Sequence, residues 1–427
     1  MDKLRIVGGR RLSGSVAVGG AKNASLPEMA ASLLTEEPLH LTNVPDVWDV
    51  GTMRRLLNVL GVEWSRPSVH ELELRASRLA AHEAPYELVK TMRASVLVLG
   101  PLLARHGRAR VSLPGGCAIG ARPIDQHIEG MRKLGARIAL EHGFVEAETE
   151  GLRGDRFRFE TTTVTGTENL MMAACLARGT TLLENAAREP EIEDLAGLLT
   201  SMGAQIEGAG SSTIEIQGVD RLKGARHEVL PDRIEAGTYI VASALVGDGV
   251  AVERCRPGNL TAVLEALRKA GVATECGETS VVVPPARPAG PVGPARKEFL
   301  PVDITTEPYP GFPTDMQAQF MVLLTQANGR SVIQETIFEN RFMHVGELAR
   351  MGARIELRGH EAIVLGPSPL SGARVMATDL RASACLVLAA LSAEGESVID
   401  RVYHLDRGYE RIEEKLEALG AEVSRIA

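Results

Sequence analysis

The sequence predicts an α/β protein made of six copies of one unit, with apolar helices wrapped by sheets. Three observations carry this expectation. A helix-like segment ending in an apolar residue, Gly and then Ala or Val recurs six times, with its glycine at Gly61, Gly135, Gly203, Gly271, Gly352 and Gly420. The spacings are 74, 68, 68, 81 and 68 residues, close to the sixth part of 427 that each unit would occupy. A second and far more apolar helical segment lies upstream of each copy. Aromatic residues are only 4% of the chain, so Ala, Leu, Val and Gly must fill a closely packed interior.

Each unit reads strand, buried helix, strand, surface helix, strand, strand. The surface helices are TMRRLLNVLGV, QHIEGMRKLGA, DLAGLLTSMGA, AVLEALRKAGV, VGELARMGA and IEEKLEALGA. Leu and Met recur in them at helical spacing with Arg, Lys and Glu between, the mark of one wet and one dry face. The closing glycine suits a left-handed cap, which is costly for a residue with a Cβ. The buried helices are KNASLPEMAASLL, RASVLVLGPLLA, TENLMMAACLA, EAGTYIVASALV, DMQAQFMVLLTQ and RASACLVLAALS. They are apolar all round, which means burial. Short β-like runs such as ARIAL, STIEIQ and EAIVL supply the strands.

Composition excludes several classes of function. Net charge is −8, whereas a general nucleic-acid binder presents a basic surface to phosphate. Five scattered Cys fit free thiols in a reducing compartment better than a disulfide framework. The charged start MDKLRIVGGRRLSG lacks the apolar stretch of a signal peptide. Nothing approaches the ~20 apolar residues of a membrane span. A cytoplasmic protein with no membrane insertion and no nucleic-acid partner is expected.

The buried helices are expected to begin with polar residues: Lys22-Asn23, Arg93, Glu168, Glu235, Asp315 and Arg381, each 35–42 residues before its unit's glycine. Helix N-termini carry unpaired N–H groups and a partial positive charge, so N-termini converging from three packed units favour anions. Two three-unit halves facing each other would enclose an anion-binding cleft. Simple capping is the competing reading, weaker for Lys22, Arg93 and Arg381 because cations are poor N-caps.

The segment SLPGGCAIGARPID, from Ser112 to Asp125, holds five Gly or Pro and reads as a loop with Cys117 at its centre. From Pro101 to Arg137 seven Lys or Arg stand against two acids, a local +5 that would draw anions and lower the thiol pKa. The plainer alternative is that Cys117 is an inert small residue. The other four Cys and the His residues show no metal-ligand or triad spacing. In PYPGFPTDMQAQF, Asp315 either caps a buried helix or acts as a base towards a hydroxyl. Arg407, before the last surface helix, is either an anion ligand or a solvated arginine. Asp379 and Arg381 read as a candidate internal ion pair.

Taken together, GGAKNASLP, PGGCAIGARPID, NAAREPEIEDL, FPTDMQAQF, ETIFENRFMHVGEL, MATDLRASACLVLAAL and DRGYERIEEKLEALGA resemble the UDP-N-acetylglucosamine enolpyruvyl transferases (1-carboxyvinyltransferases) of the enolpyruvyl transferase family. The resemblance spans the whole chain. It implies two inside-out α/β domains of three βαβαββ units each. One would cover residues 22–231 with the Cys117 loop. The other would join residues 1–21 to 232–427 with Asp315 and Arg407, leaving the active site in the cleft between them.

The resemblance also implies the chemistry. The enolpyruvyl group of phosphoenolpyruvate would pass to the 3-hydroxyl of UDP-N-acetylglucosamine by addition and elimination, releasing phosphate, in the first committed step of peptidoglycan synthesis. No metal or organic cofactor is implied. Cys117 matches the thiol that protonates C3 of phosphoenolpyruvate and that fosfomycin alkylates. Asp315 matches the carboxylate that contacts the sugar hydroxyl and is the favoured general base. Lys22, Arg122 and Arg407 match the cations around phosphoenolpyruvate. Asn23, Arg93, Arg122, Pro123, Ile124, Asp125, Gln126, Thr163, Val164 and Ile337 match nucleotide-sugar contacts, and Asp49, Asp379 and Arg381 match other polar positions of the cleft. Some members carry a lysine just before the third buried helix. Here the segment is Glu160-Thr161-Thr162-Thr163-Val164, with no cation. The family hinge implies closure over substrate, with the Cys117 loop as a lid.

Three rivals remain. A 5-enolpyruvylshikimate-3-phosphate synthase-like transferase lacks the PGGC loop. A non-catalytic regulatory paralogue would have lost the thiol, base or cations. A thiol redox sensor would want a resolving Cys near Cys117.

Overall fold

The six repeat glycines all have left-handed backbone, with φ from +82° at Gly271 to +105° at Gly203. Each follows a helix, so the sixfold punctuation expected from the spacing is a structural one. The structure is a computed structural model that describes residues 2–113, 124–285 and 298–427.

The strands of the described residues form six four-stranded sheets of one topology. In the third repeat, Arg156–Arg158 runs parallel to Thr180–Glu184, across the helix Val164–Ala174. After the helix Pro190–Ser201, the strands Gln205–Glu207 and Thr213–Gln217 pair antiparallel, and Thr213–Gln217 pairs back onto Thr180–Glu184. This is βαβαββ. The register sets Leu183 opposite Ile214 and Thr181 opposite Ile216, and all four are buried on one face.

Three sheets borrow strands from afar. Ala225–Glu228 runs parallel to Leu39–Thr42. Leu12–Ala17 runs parallel to Gly247–Glu253. Lys3–Val7 is inserted between Glu396–Asp400 and Glu422–Ile426, antiparallel to both. The first strands of the chain therefore complete sheets of its C-terminal half.

The described residues divide into two compact units. One holds those of 20–230, the other those of 2–19 and 231–427. Each has its own apolar core. In the second unit the helices Arg233–Val246, Gln317–Thr325 and Leu380–Ser392 pack on one another. In the first, Val164–Ala174 packs on Lys22–Ala31 and on Leu99–His106.

Small residues make this packing possible. A Cβ on Gly100 would stand 2.4 Å from the Asn169 backbone oxygen, and one on Gly130 would stand 2.3 Å from Leu170 Cδ1. Either side chain would push the neighbouring helix out and open voids around fully buried Met171 and Met172.

Two expectations about the inner helices are corrected. The segment Ala94 to Ala104 is not one α-helix: Arg93–Val98 is 3₁₀ and the α-helix is Leu99–His106. Pro101 has no N–H and its ring clashes with the carbonyl four residues back, so the α-helix starts late enough to hold it in the first turn. Glu168 does not open its helix either. Thr163 is the cap, accepting a hydrogen bond from the Gly166 N–H, and Glu168 lies inside the helix, buried.

Candidate active site

Asp315 sits in a short 3₁₀ turn, Thr314–Met316, just before the inner helix Gln317–Thr325 rather than on it. Arg341 Nη2 donates to its Oδ1 at 2.7 Å and Arg381 Nη2 to its Oδ2 at 2.8 Å. Both arginine side chains are buried, at 6% and 7% exposure, whereas about a quarter (26%) of Asp315 faces solvent. Burial alone would raise the Asp315 carboxyl, but Arg381 and Arg341 hold it well below its ordinary value. It is therefore ionised at neutral pH, with little basicity while both pairs hold.

A polar network fixes this cluster. Arg341 Nη1 donates to Thr314 Oγ1 at 3.2 Å, and Thr314 donates to Glu335 Oε2 at 2.8 Å. The buried Glu335 also accepts from Thr306 Oγ1 and from the backbone N–H groups of Ile337 and Phe338. Ile337 is thus held by its backbone, two residues from an internal carboxylate. On the far side, Arg381 Nη1 donates to the Tyr409 hydroxyl at 3.4 Å, which is 2.8 Å from Thr238 Oγ1.

The expected pair between Asp379 and Arg381 is not what forms. Asp379 caps the helix Leu380–Ser392, accepting from the N–H groups of Arg381 and Ala382 at 2.8 and 3.0 Å, while the Arg381 guanidinium turns to Asp315. A carboxylate at the N-cap meets two unpaired donors of the first turn, which leaves the guanidinium to the stronger charged partner. Glu235 is likewise committed internally. Asp232 caps its helix, and Glu235 accepts from Gly19 N–H at 2.8 Å and Lys415 Nζ at 2.6 Å. Arg407 ends the 3₁₀ helix Val402–Arg407 and is half-buried, so it is not a solvated arginine.

In the 20–230 unit, Lys22 is the first residue of the helix Lys22–Ala31, whose N-cap Ala21 offers no side-chain acceptor. A cation at a helix N-terminus is disfavoured by the dipole. The buried Asp49, in the first turn of Trp48–Leu60, offsets it at 3.1 Å. Asn23 is exposed beside it. Arg93 begins the 3₁₀ helix and lies close enough to buried His127 to join burial in pushing that imidazole down to about 4. Ile124 and Asp125 open the helix Asp125–Lys133. Gln126 ties this start to the stretch before Val164–Ala174. Its Oε1 accepts from Glu160 N–H at 2.7 Å and its Nε2 donates to Thr161 O at 2.9 Å. Cys117, Arg122 and Pro123 lie outside the described residues.

Among the described residues, the cations between Pro101 and Arg137 are held by internal partners rather than left as a free anion site. Arg105 donates to the carbonyls of Leu33, Thr35 and Ala76. Arg110 pairs with Glu83 and Glu146, and Arg108 and Arg137 with Glu148. Arg132 donates to Ile138 O, and Lys133 pairs with Asp155. The acids that neutralise these cations come mostly from a neighbouring strand, out of reach of a count along the chain.

Sequence reasoning missed Arg341 and Glu335, although both lie in the quoted segment ETIFENRFMHVGEL. A guanidinium just past a strand end, in a unit that already offers an acid before its inner helix, was the available signal.

The profile of the family described as EPSP synthase (3-phosphoshikimate 1-carboxyvinyltransferase) matches residues 6–416. The chain belongs to this family of carboxyvinyl, or enolpyruvyl, transferases. Within it, the chain is 58% identical over 430 residues to the UDP-N-acetylglucosamine 1-carboxyvinyltransferase of Koribacter versatilis (strain Ellin345), covering 100% of this chain and 97% of that one. It is 56% identical to the protein of the same name from Acidobacterium capsulatum, covering 100% and 96%. Among solved structures, the enolpyruvyl transferase NikO from Streptomyces tendae matches with a TM-score of 0.88 and 26% identity, over 99% of this chain and 98% of that one. EPSP synthase from Acinetobacter baumannii matches with a TM-score of 0.76 and 17% identity, over the whole of both chains, and shares the fold. Among the described residues, no helix is long and apolar enough to cross a membrane.

Proposed function

We propose that the chain transfers the enolpyruvyl group of phosphoenolpyruvate to the 3-hydroxyl of UDP-N-acetylglucosamine, releasing phosphate, in the cytoplasm as a step of peptidoglycan synthesis. The observation that carries this reading is the end-to-end similarity, at 58% identity, to a relative bearing that activity in its name. The paired Asp315–Arg341–Arg381 cluster supports it.

In the addition step the sugar oxygen bonds to C2 of phosphoenolpyruvate, its proton passes to the Asp315 carboxylate, and C3 gains a proton from Cys117. In the elimination step C3 loses a proton and the C2–O bond to phosphate breaks. Cys117 is assigned the proton donation to C3. Asp315 is assigned the acceptor of the sugar hydroxyl. Its two arginine partners lower its basicity, so it first orients the hydroxyl and takes the proton as that oxygen becomes acidic on bonding to C2, stabilising positive charge there meanwhile. Lys22, Arg122 and Arg407 are assigned to phosphate and carboxylate, where cations stabilise charge in the transition state. Asn23, Arg93, Arg122, Pro123, Ile124, Asp125, Gln126, Thr163, Val164 and Ile337 are assigned to the nucleotide sugar, with Asp49, Asp379 and Arg381 as positioning residues. The route uses no metal or organic cofactor.

The test is phosphate release from phosphoenolpyruvate with UDP-N-acetylglucosamine and, separately, with shikimate 3-phosphate. Release with the first acceptor alone is expected. Release with the second alone overturns the reading. Cys117→Ser is expected to cripple turnover.

A further inference from the structure

One cluster in the 20–230 unit takes no part in that chemistry. Glu28 is in the helix Lys22–Ala31, Asp194 in Pro190–Ser201 and His227 on the strand Ala225–Glu228. Glu28 is wholly buried, at 0% exposure. Neither of its carboxylate oxygens, nor His227 Nε2, has a hydrogen-bond partner among the described residues. Yet Nε2 stands 3.5 Å from Glu28 Oε1 and 3.2 Å from Asp194 Oδ1. One ligand atom from each residue lies within 4.8 Å of the other two. Asp194 is anchored through its second oxygen, which accepts the Leu230 N–H at 2.9 Å.

A carboxylate buried without donors is costly unless a proton or a cation neutralises it. The two distances from the imidazole suit a small tetrahedral ion. Zinc bonds of about 2.0–2.1 Å at tetrahedral angles separate ligand atoms by about 3.3 Å, and the distances of 3.2 and 3.5 Å lie on either side of that value. Calcium asks for six or more oxygens and magnesium for six, and neither favours an imidazole.

We propose that Glu28, Asp194 and His227 form a structural site for a divalent transition-metal ion of the zinc class. Two carboxylates and a neutral imidazole cancel its charge, and water completes the shell. Binding displaces any proton held by Glu28 and by the imidazole. The ion ties the helix that begins with Lys22 and Asn23 to a second helix and to a sheet edge. The ligands are 166 and 33 residues apart, so no spacing along the chain announces them.

The test uses the full-length protein stripped by EDTA. Zn²⁺ is titrated in competition with a chromophoric chelator, and melting is followed with and without Zn²⁺. One tight equivalent and a rise in melting temperature are expected for the wild type. His227→Gln should bind that equivalent more than about tenfold more weakly. Glu28→Met is the decisive second variant. It exchanges the buried carboxylate for an apolar group of similar length, so it should fold and melt no lower than the metal-free wild type while losing the equivalent. Wild type that takes up no more zinc than Glu28→Met, or whose melting does not respond to zinc, overturns the assignment.

Discussion

Replacing Arg341 by Met removes one of the two guanidinium groups that hold Asp315. Breaking a buried ion pair from one side costs about 3–5 kcal/mol. Here the cost is reduced, because about a quarter of Asp315 faces solvent (26%) and Arg381 stays on its other oxygen at 2.8 Å. About 2–3 kcal/mol is left. A unit of this size shifts about 2–4 °C per kcal/mol, so calorimetry should show a transition lower by about 4–12 °C. Arg358→Met is the control. Its partner Glu356 is as near, at 2.8 Å, but the side chains are 62% and 57% exposed, so no measurable shift is expected. Acid titration gives a second readout. A carboxyl held below its unfolded value contributes stability that is present above that value and lost as pH falls through the folded one. With Arg341 gone the folded value rises, so the variant should unfold at a higher pH than wild type. Equal melting of Arg341→Met and Arg358→Met would refute the view that this pair is held by burial.

Other outcomes are expected elsewhere. Thr163→Ala removes the cap of Val164–Ala174 and should cost about 1 kcal/mol by urea unfolding, with Thr163→Ser recovering most of it; an unchanged midpoint would show that the hydroxyl contributes nothing. His127, buried beside Asn169 and Thr165, is pushed down to about 4, against about 6.5 in an unfolded chain. Between those values the unfolded chain takes a proton that the fold excludes, so stability falls as pH drops from about 6.5 to 4. His127→Gln should show a shallower fall of urea midpoint over that window, and an identical slope would rule His127 out as its source. Burial pushes the Cys175 thiol up to about 12 and raises those of Cys255 and Cys385. A thiol reagent on native protein should therefore spare all three and modify exposed Cys276. Cys117→Ser should lower the count of fast thiols by one, and rapid modification of Cys175 would contradict its burial.

Much of the architecture was legible from one chain because its signals are local. A left-handed glycine after an amphipathic helix concerns residues a few positions apart, so six glycines reported six surface helices. Apolar runs likewise reported six buried segments. Exact starts were less legible where two polar residues competed for the cap. Glu168 and Glu235 look like helix openers, but Thr163 and Asp232 hold the backbone donors. A short side chain reaches the first-turn N–H groups from just outside the helix, and a glutamate within it cannot.

The sequence by itself determined the repeat, the buried and exposed helices, and the residues whose family pattern names a chemistry. Only the tertiary structure decided which charges meet. It brought Arg341 and Arg381 onto Asp315 across 26 and 66 residues, and set Lys22 on Asp49. It also cancelled the basic run around Arg110 with acids from adjacent strands. The reason is range: backbone geometry and amphipathic periodicity are set by near neighbours, whereas the partner and solvation of a charge depend on segments that only the fold brings together.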